Sequence, residues 1–226
     1  MYTDRRDAGR RLAQRLLRYK DEQPVVLALP RGGVPVGYEV ALALDAPLDI
    51  LVVRKLGAPG QHELAIGAVV NGDHPQSVLN EDVMHELNVT DSYLRHEVDS
   101  ELREIRRREE SYRGRRAPEP VEGRTAIVVD DGIATGASIR AALRSVRRRH
   151  PQLLVLAVPV APPETIESLR ADLDDVVCLM TPAFFRAVGQ FYVDFGQTSD
   201  EEVIRLLDWA RRRRPIGHKQ GTAEAS

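Results

Sequence analysis

Runs of consecutive apolar residues alternate with amphipathic stretches along this chain of 226 residues. The apolar runs predict strands buried on both faces, because a strand with one face in water would alternate apolar and polar residues. Apolar residues that recur every three or four positions predict helices. The predicted strands are 25–29, 48–53, 65–70, 77–79, 125–130, 153–160 and 175–180. The predicted helices of this kind are 4–20, 36–44, 138–149, 163–171 and 199–213. This alternation predicts an α/β fold with a mainly parallel, roughly five-stranded sheet flanked by helices.

Residues 81–120 differ from the rest of the chain in composition, because they are rich in charged residues and show a helical periodicity. Residues 81–110 predict one long amphipathic helix whose apolar stripe docks on the chain's own core or on a second subunit, the latter giving a homodimer. The stripe consists of Leu94, Val98, Leu102 and Ile105. The basic run Arg106–Arg108 could be a nucleic-acid patch or a solvated face. Since glutamates flank it, we expect a solvated face and no nucleic-acid partner.

These patterns predict a single domain over residues 1–214. Its core is expected at about residues 25–70 and 124–180, and the helical insert occupies 81–120. Residues 181–214 and the N-terminal helix are expected to form a small hood over the core. Residues 215–226 are expected to be a disordered tail.

Composition and charge exclude several classes of protein. The formal net charge of −2 gives no global attraction to nucleic acids or acidic membranes. No apolar run approaches the roughly 20 residues of a membrane span, and the first residues contain no apolar signal region. The single cysteine, Cys178, rules out an internal disulfide, and the histidines show no metal-ligand spacing. We therefore expect a cytoplasmic protein without a membrane partner.

The run VVDDGIATGAS, residues 128–138, carries the clearest chemistry. It predicts the end of a buried strand, two adjacent carboxylates (Asp130 and Asp131), a loop of small residues and the start of a helix. Free N–H groups at a helix start bind phosphate, whereas a carboxylate accepts hydrogen bonds from vicinal hydroxyls. The combination indicates a phosphorylated ribose. An ordinary strand-to-helix turn capped by Thr135 would explain the glycines but not the paired acids.

Other phosphate loops fit this run poorly. A Walker A loop needs a lysine before its Ser or Thr, and no lysine lies near residues 128–138. A dinucleotide fingerprint places its acid well after the glycines, whereas here the acids precede them.

The run resembles the PRPP (5-phosphoribosyl 1-pyrophosphate) signature of the type I phosphoribosyltransferases, most like a bacterial group of stand-alone or hydrolase-fused members with unassigned substrate. The resemblance implies the type I phosphoribosyltransferase fold. It also implies that Asp130 and Asp131 bind the ribose 2- and 3-hydroxyls. The loop residues implied to bind the 5-phosphate are Ala134, Thr135, Gly136, Ala137 and Ser138.

A second loop of the family binds pyrophosphate after the first strand. In this chain Arg31, Gly32 and Gly33 match that loop in order and character. A third region, around Gly57–Gly60, resembles the family's flexible lid, which closes over pyrophosphate and excludes water. The resemblance implies that Arg54 and Lys55 neutralise the leaving group there.

The acceptor site is expected in residues 184–195, which resemble the hood of the purine enzymes. Phe185, Phe191 or Tyr192 would stack on a base, and Asp194 would make a polar contact; alternatively, the aromatic residues only plug the hood onto the core. The purine enzymes carry a lysine near the end of the preceding strand. Residues 158–161 contain none, which argues against hypoxanthine or guanine as the acceptor.

The resemblance implies a Mg²⁺-dependent transfer of 5-phosphoribosyl from PRPP to a nitrogenous, nucleobase-like small molecule, with release of pyrophosphate. Asp130, Asp131, Arg31 and Lys55 would be the catalytic residues, and Mg²⁺ would be held mainly through the substrate, with no assigned protein ligand. Two alternatives stay open. One is a regulator that senses PRPP or a nucleotide without chemistry and contacts RNA through the insert. The other is a hydrolase acting on a phosphoribosyl compound.

Overall fold

The computed structural model describes residues 1–71 and 76–213, and the predicted tail lies outside this part of the chain. The strands are β1 Val25–Ala28, β2 Leu48–Ile50, β3 Val53–Ala58, β4 Gln61–Val70, β5 Gln76–Leu79, β6 Thr125–Val129, β7 Leu153–Val160 and β8 Asp175–Met180. The α-helices are α1 Arg5–Leu16, α2 Gly33–Leu44, α3 Glu81–Glu86, α4 Asp91–Arg113, α5 Ala137–Arg147, α6 Pro163–Leu169 and α7 Asp200–Arg212. None of the helices within these limits is long and apolar enough to cross a bilayer.

A five-stranded parallel sheet forms the centre of the fold, in the order β2-β1-β6-β7-β8. Successive residues of a strand point to opposite faces, so Val26 and Ala28 pack with α1 and α2, whereas Val25 and Leu27 pack with α5 and α6. Burial of both faces explains the unbroken apolar runs. The prediction of a mainly parallel, five-stranded sheet flanked by helices is therefore confirmed.

A second sheet, β3-β4-β5, is antiparallel and was not predicted as a separate unit. The predicted strand 48–53 is wrong in its limits, because β2 ends at Ile50 and β3 begins at Val53 in the other sheet. Both parts of the run are buried, so apolarity alone does not mark the crossing. The predicted loop Gly57–Gly60 is instead the tip of the β3–β4 hairpin, with Gly60 at φ +71°.

The helical insert contains two helices rather than one. The helical conformation is interrupted at Asn88, whose φ of +49° is left-handed. The Thr90 hydroxyl then caps the start of α4 by accepting a hydrogen bond from the Tyr93 N–H. Leu102 and Ile105 of the predicted apolar stripe are buried in the chain's own core. Docking on this core is thus observed, while a homodimer stays a prediction.

The N-terminal segment joins the hood region. Tyr2 donates its N–H to the Phe191 carbonyl at 2.8 Å and accepts from the Val193 N–H at 2.8 Å. Its hydroxyl donates to the Pro159 carbonyl at the end of β7. Residues 2 and 191–193 are therefore fixed together over the carboxyl end of the main sheet.

A buried ion pair fastens the insert to this sheet. Arg113, at the end of α4, donates its Nε to Asp49 Oδ1 of β2 at 2.9 Å, and the two side chains are only 9% and 3% exposed. Asp49 Oδ2 also accepts from the Glu119 N–H. Because one carboxylate holds both α4 and the loop after it, the position of the insert depends on this residue.

We expect Asp49→Asn to lower the free energy of unfolding by about 3 kcal/mol, because the Arg113 charge would stay buried without its carboxylate. Asp208→Asn is the matched control, since it removes an exposed carboxylate paired with Arg116 and should cost less than about 1 kcal/mol. Urea denaturation of the three proteins measures both changes. Equal small losses in the two variants would contradict the anchoring role.

Candidate active site

The two predicted motifs lie side by side because β1 and β6 are neighbours in the parallel sheet. Ala28 at the end of β1 is opposite Val129 at the end of β6, and the Leu29 N–H donates to the Val129 carbonyl at 2.9 Å. Asp130 and Asp131 directly follow β6. The loop after β1, with a cis peptide bond between Pro30 and Arg31, leads into α2 at the same edge of the sheet.

Close contact between these loops requires two glycines. A Cβ atom at Gly32 would lie 2.0 Å from Asp131 Oδ2, and one at Gly33 would lie 2.8 Å from the Val129 carbonyl oxygen. Both distances are too short for any side chain at these positions. The glycines therefore let the loop after β1 pack directly against the acid pair.

Each acid already accepts one hydrogen bond. Asp130 Oδ1 accepts from the Asp131 N–H at 2.8 Å, and Asp131 Oδ2 accepts from Arg5 Nε at 2.7 Å. Loss of solvation raises the pKa of Asp130 well above its usual range, and the charge of Asp131 raises it further. Loss of solvation also raises the pKa of Asp131, although Arg5 opposes this shift.

Arg5 is a residue of this site that the sequence patterns did not indicate. Its side chain, 12% exposed, leaves α1 to reach an acid 126 positions away in the chain. Nη1 donates to the Gly196 carbonyl at 2.6 Å, and the guanidinium carbon lies 3.9 Å from the centre of the Phe195 ring. No local sequence signal marks a contact of this range, so only the fold reveals it.

The loop between β6 and α5 has the geometry of an anion site. Gly136, at φ +79°, is the residue before α5, and no side chain caps the helix there. The Thr135 cap of the alternative interpretation, an ordinary strand-to-helix turn, is thus not formed. Ala134, Thr135 and Ala137 are exposed, Ser138 is half-buried, and the Ala134 carbonyl accepts from the Thr165 hydroxyl. The first N–H groups of α5 therefore stay available to a ligand.

The cationic residues predicted for pyrophosphate have acidic neighbours. Arg31 Nη1 lies 3.8 Å from Asp200 Oδ1 at the start of α7. Arg54 Nε donates to Glu101 of α4 at 2.5 Å, and this hydrogen bond raises the pKa of Arg54. Lys55 is exposed on β3.

The predicted lid is tied to the helical insert. The Gly57 N–H donates to Glu97 Oε1 at 3.0 Å, and the Tyr93 hydroxyl donates to the Gly57 carbonyl at 3.0 Å. Both partners belong to α4. Opening or closing of the β3–β4 tip would therefore exchange contacts with this helix, and the lid role itself stays a prediction.

Two of the three aromatic residues predicted for the acceptor are buried. The Tyr192 hydroxyl donates to the Asp131 carbonyl at 2.5 Å, and its ring lies 5.3 Å from that of Tyr2. Phe191 is also buried, and it packs 5.4 Å from the half-buried Phe185. These contacts fit the plug alternative at least as well as base stacking.

Other hood residues are accessible. Asp194 is exposed, and its carboxylate accepts from the Gly196 N–H at 2.9 Å. Phe184, which the sequence patterns did not single out, is 90% exposed. Its carbonyl accepts from the Gln190 side chain, which also binds the N–H groups of residues 186 and 187. The hood thus exposes Phe184 on a loop that the Gln190 side chain holds through hydrogen bonds.

We expect Asp130→Asn to stabilise the fold at pH 7–8. With its pKa raised, Asp130 binds a proton more tightly in the folded than in the unfolded state. Stability therefore falls as the pH rises from the unfolded pKa, about 4, through the folded value. Asparagine cannot ionise and so removes this loss. The free energy of unfolding of the variant should therefore exceed that of the unchanged protein by about 1 kcal/mol or more at neutral pH and should equal it below about pH 4.

Denaturation of both proteins across this pH range tests the expectation. Asp99→Asn is the control, because Asp99 is an exposed carboxylate on α4 and its loss should change stability by no more than about 0.5 kcal/mol at any pH. A neutral-pH loss of stability in Asp130→Asn would contradict the electrostatic account.

Comparisons with known proteins agree with this arrangement. A family model described as "Phosphoribosyl transferase domain" matches residues 2–195. The chain is similar to "Putative phosphoribosyl transferase Rv0571c" of Mycobacterium tuberculosis, with 49% identity over 94% of this chain and 47% of the relative. It thus spans about half the length of the curated relatives it matches.

A solved structure gives a closer match in length. The crystal structure of TT1426 from Thermus thermophilus has a TM-score of 0.77 and 46% identity, covering 92% of this chain and 98% of that one. The family match includes both strand-end motifs and most of the hood. This chain therefore belongs to the phosphoribosyl transferase domain family.

Proposed function

We propose that the protein transfers the 5-phosphoribosyl group of PRPP to a nitrogenous, nucleobase-like acceptor and releases pyrophosphate. The observation that carries the proposal is one edge of the sheet, where a pair of acids, an uncapped helix start and a glycine loop with an arginine meet. These groups match the hydroxyls, the 5-phosphate and the pyrophosphate of one substrate.

The acid pair is suited to the ribose hydroxyls. Asp130 Oδ1 accepts from the Asp131 N–H, and Asp131 Oδ2 accepts from Arg5 Nε. The second oxygen of each carboxyl would accept one ribose hydroxyl, and for an ionised carboxyl this bond is stronger than one between neutral groups. The pair would also place negative potential near the positive charge that develops on the ribose ring.

The 5-phosphate and the pyrophosphate of PRPP would bind on opposite sides of the acid pair. The 5-phosphate would take the N–H groups of residues 134–138, where the helix dipole favours an anion. The pyrophosphate would lie against Arg31, Gly32 and Gly33, with Arg54 and Lys55 approaching from β3. Arg31 would then exchange its contact with Asp200 for one with the leaving group.

Mg²⁺ would bind at this site mainly through the substrate. No group of three or more His, Cys, Asp or Glu side chains in the described ranges could hold a metal ion. Mg²⁺ keeps several waters and commonly binds substrate phosphates, so the pyrophosphate and ribose oxygens would supply most ligands. When bound, the ion would neutralise charge on the leaving pyrophosphate.

The transfer needs few proton movements at the protein. A bond forms between the ribose C1 and the acceptor nitrogen while the bond from C1 to the pyrophosphate oxygen breaks. The pyrophosphate leaves with both electrons, and a proton on the acceptor nitrogen passes to the leaving pyrophosphate or to water. Developing positive charge on the ring is matched by Asp130 and Asp131, and Arg31 and Lys55 stabilise the leaving anion. The protein's contribution is thus positioning and electrostatics.

A regulatory role through RNA has weaker support. Arg107 and Arg108 of the basic run both donate to Glu104, which lowers the pKa of that carboxyl to about 2. Part of the positive charge is therefore compensated within the helix, which favours a solvated face over a phosphate-binding one.

The proposal is tested by incubating the protein with PRPP, Mg²⁺ and a panel of nucleobases and following pyrophosphate release. We expect release that depends on one base or a few related bases. PRPP binding without base-dependent release would favour a regulator, whereas release without any base would favour a hydrolase. Absence of PRPP binding would overturn the proposal.

We expect Asp131→Asn to weaken PRPP binding about tenfold or more, because an amide accepts a hydroxyl less strongly than a carboxylate does. Calorimetric titration in the presence of Mg²⁺ measures the dissociation constant, and circular dichroism checks the fold. Asp99→Asn, far from the acids in sequence and exposed, should bind PRPP as the unchanged protein does. Unaltered PRPP affinity in Asp131→Asn would argue against the hydroxyl-binding role.

A further inference from the structure

The Arg5 guanidinium joins three parts of the candidate site. It binds Asp131 of the acid pair at 2.7 Å and the Gly196 carbonyl of the hood at 2.6 Å, and it stacks on Phe195. A Cβ atom at Gly32 would lie 3.2 Å from Arg5 Nε, so the loop after β1 is also adjacent. Arg5 is therefore enclosed by the elements that would bind PRPP.

Neighbouring arginines of α1 show that this contact is specific. Arg6 and Arg10 approach Glu39 of α2, and Arg11 pairs with Asp7 of its own helix. Those guanidinium groups are about half exposed, whereas the side chains of Arg5 and Asp131 are 12% and 14% exposed. A shielded ion pair contributes little net stability compared with apolar packing, so stability alone does not explain a pair at this place.

The geometry of the pair determines which oxygen Asp131 can offer. Arg5 Nε donates a hydrogen bond to Asp131 Oδ2 from the side of α1, and the Tyr192 hydroxyl donates one to the Asp131 main-chain carbonyl. The carboxylate is held at both its side chain and its backbone. Because Oδ2 is held by Arg5, Oδ1 is the oxygen of this carboxyl that would turn to a ribose hydroxyl.

We propose that Arg5 is a positioning residue of the ribose subsite, which orients Asp131 so that Oδ1 accepts a ribose hydroxyl. The inference rests on the proposed binding of PRPP. It adds that the N-terminal helix contributes to recognition of the sugar. It also assigns the 2-hydroxyl to Asp131, so that the preference for ribose over deoxyribose depends on Arg5.

The experiment compares binding of ribose 5-phosphate, 2-deoxyribose 5-phosphate and PRPP with Mg²⁺ by calorimetric titration. The variants are Arg5→Gln, Arg5→Lys and, as a matched control on the same helix, Arg10→Gln. We expect Arg5→Gln to weaken PRPP binding about tenfold and to abolish the preference for ribose over deoxyribose 5-phosphate. Arg5→Lys should recover part of both, and Arg10→Gln should change neither.

A double-mutant cycle separates positioning from folding. With Asp131→Asn already present, the further change Arg5→Gln should have less than about a twofold effect on PRPP binding, because the group that Arg5 orients is gone. Thermal unfolding of each variant shows whether it is folded. If Arg5→Gln does not fold, Arg5→Lys takes its place. The positioning role is then tested by comparing Arg5→Lys with Arg10→Gln and by the double-mutant cycle of Arg5→Lys with Asp131→Asn.

The possible failures differ in what they overturn. If the unchanged protein binds PRPP and prefers ribose, but Arg5→Gln keeps that preference or loses affinity equally for both sugars, the positioning role is wrong and the proposed function stands. If the unchanged protein binds PRPP without a sugar preference, the hydroxyl route through Arg5 is wrong. If it binds neither PRPP nor ribose 5-phosphate, the proposed function fails as well.

Discussion

Parallel pairing of β1 with β6 is the constraint on which the site depends. It brings the end of one strand, with its glycine loop, next to the end of another, with its two acids. The apolar residues that hold the two strands together carry no ligand chemistry of their own, yet they determine that the candidate pyrophosphate loop and the acid pair share one edge. Gly32 and Gly33 then allow the distance between the loops to be short.

Charge compensation is the second organising feature. Asp131 is paired with Arg5, Arg31 with Asp200 and Arg54 with Glu101. In each pair a residue of a predicted subsite meets an opposite charge from a helix. The helices around the sheet therefore supply counter-charges as well as apolar cover. A ligand such as PRPP would exchange the contacts of Arg31 and Arg54 for contacts with its own charges, whereas the Asp131–Arg5 pair would persist.

Sequence patterns predicted the central sheet and the acid motif because both depend on local signals. Burial on two faces produces apolar runs. The acid motif, a strand end followed by acids and glycines, can be recognised within about ten residues of sequence. The crossing at residues 51–52 and the break at Asn88 were not predicted. The crossing depends on which sheet each part of the apolar run joins, and apolarity does not distinguish the two sheets. The break at Asn88 does have local signals, a left-handed asparagine and the Thr90 cap, which the apolar periodicity alone does not show. The contact between Arg5 and Asp131 spans 126 positions and leaves no periodicity to detect.

The hood shows why the acceptor is harder to infer than the donor. PRPP presents fixed charges, and its candidate partners are backbone groups and ions whose geometry the fold itself determines. A base would instead meet aromatic side chains, and aromatic residues also fill cores. Tyr192 and Phe191 close the hood on Tyr2 and on the acid loop, which leaves Phe184 as the most exposed aromatic ring of that segment. Since the same residue types serve packing and stacking, composition cannot separate the two roles, and the identity of the acceptor depends on surfaces such as that of Phe184.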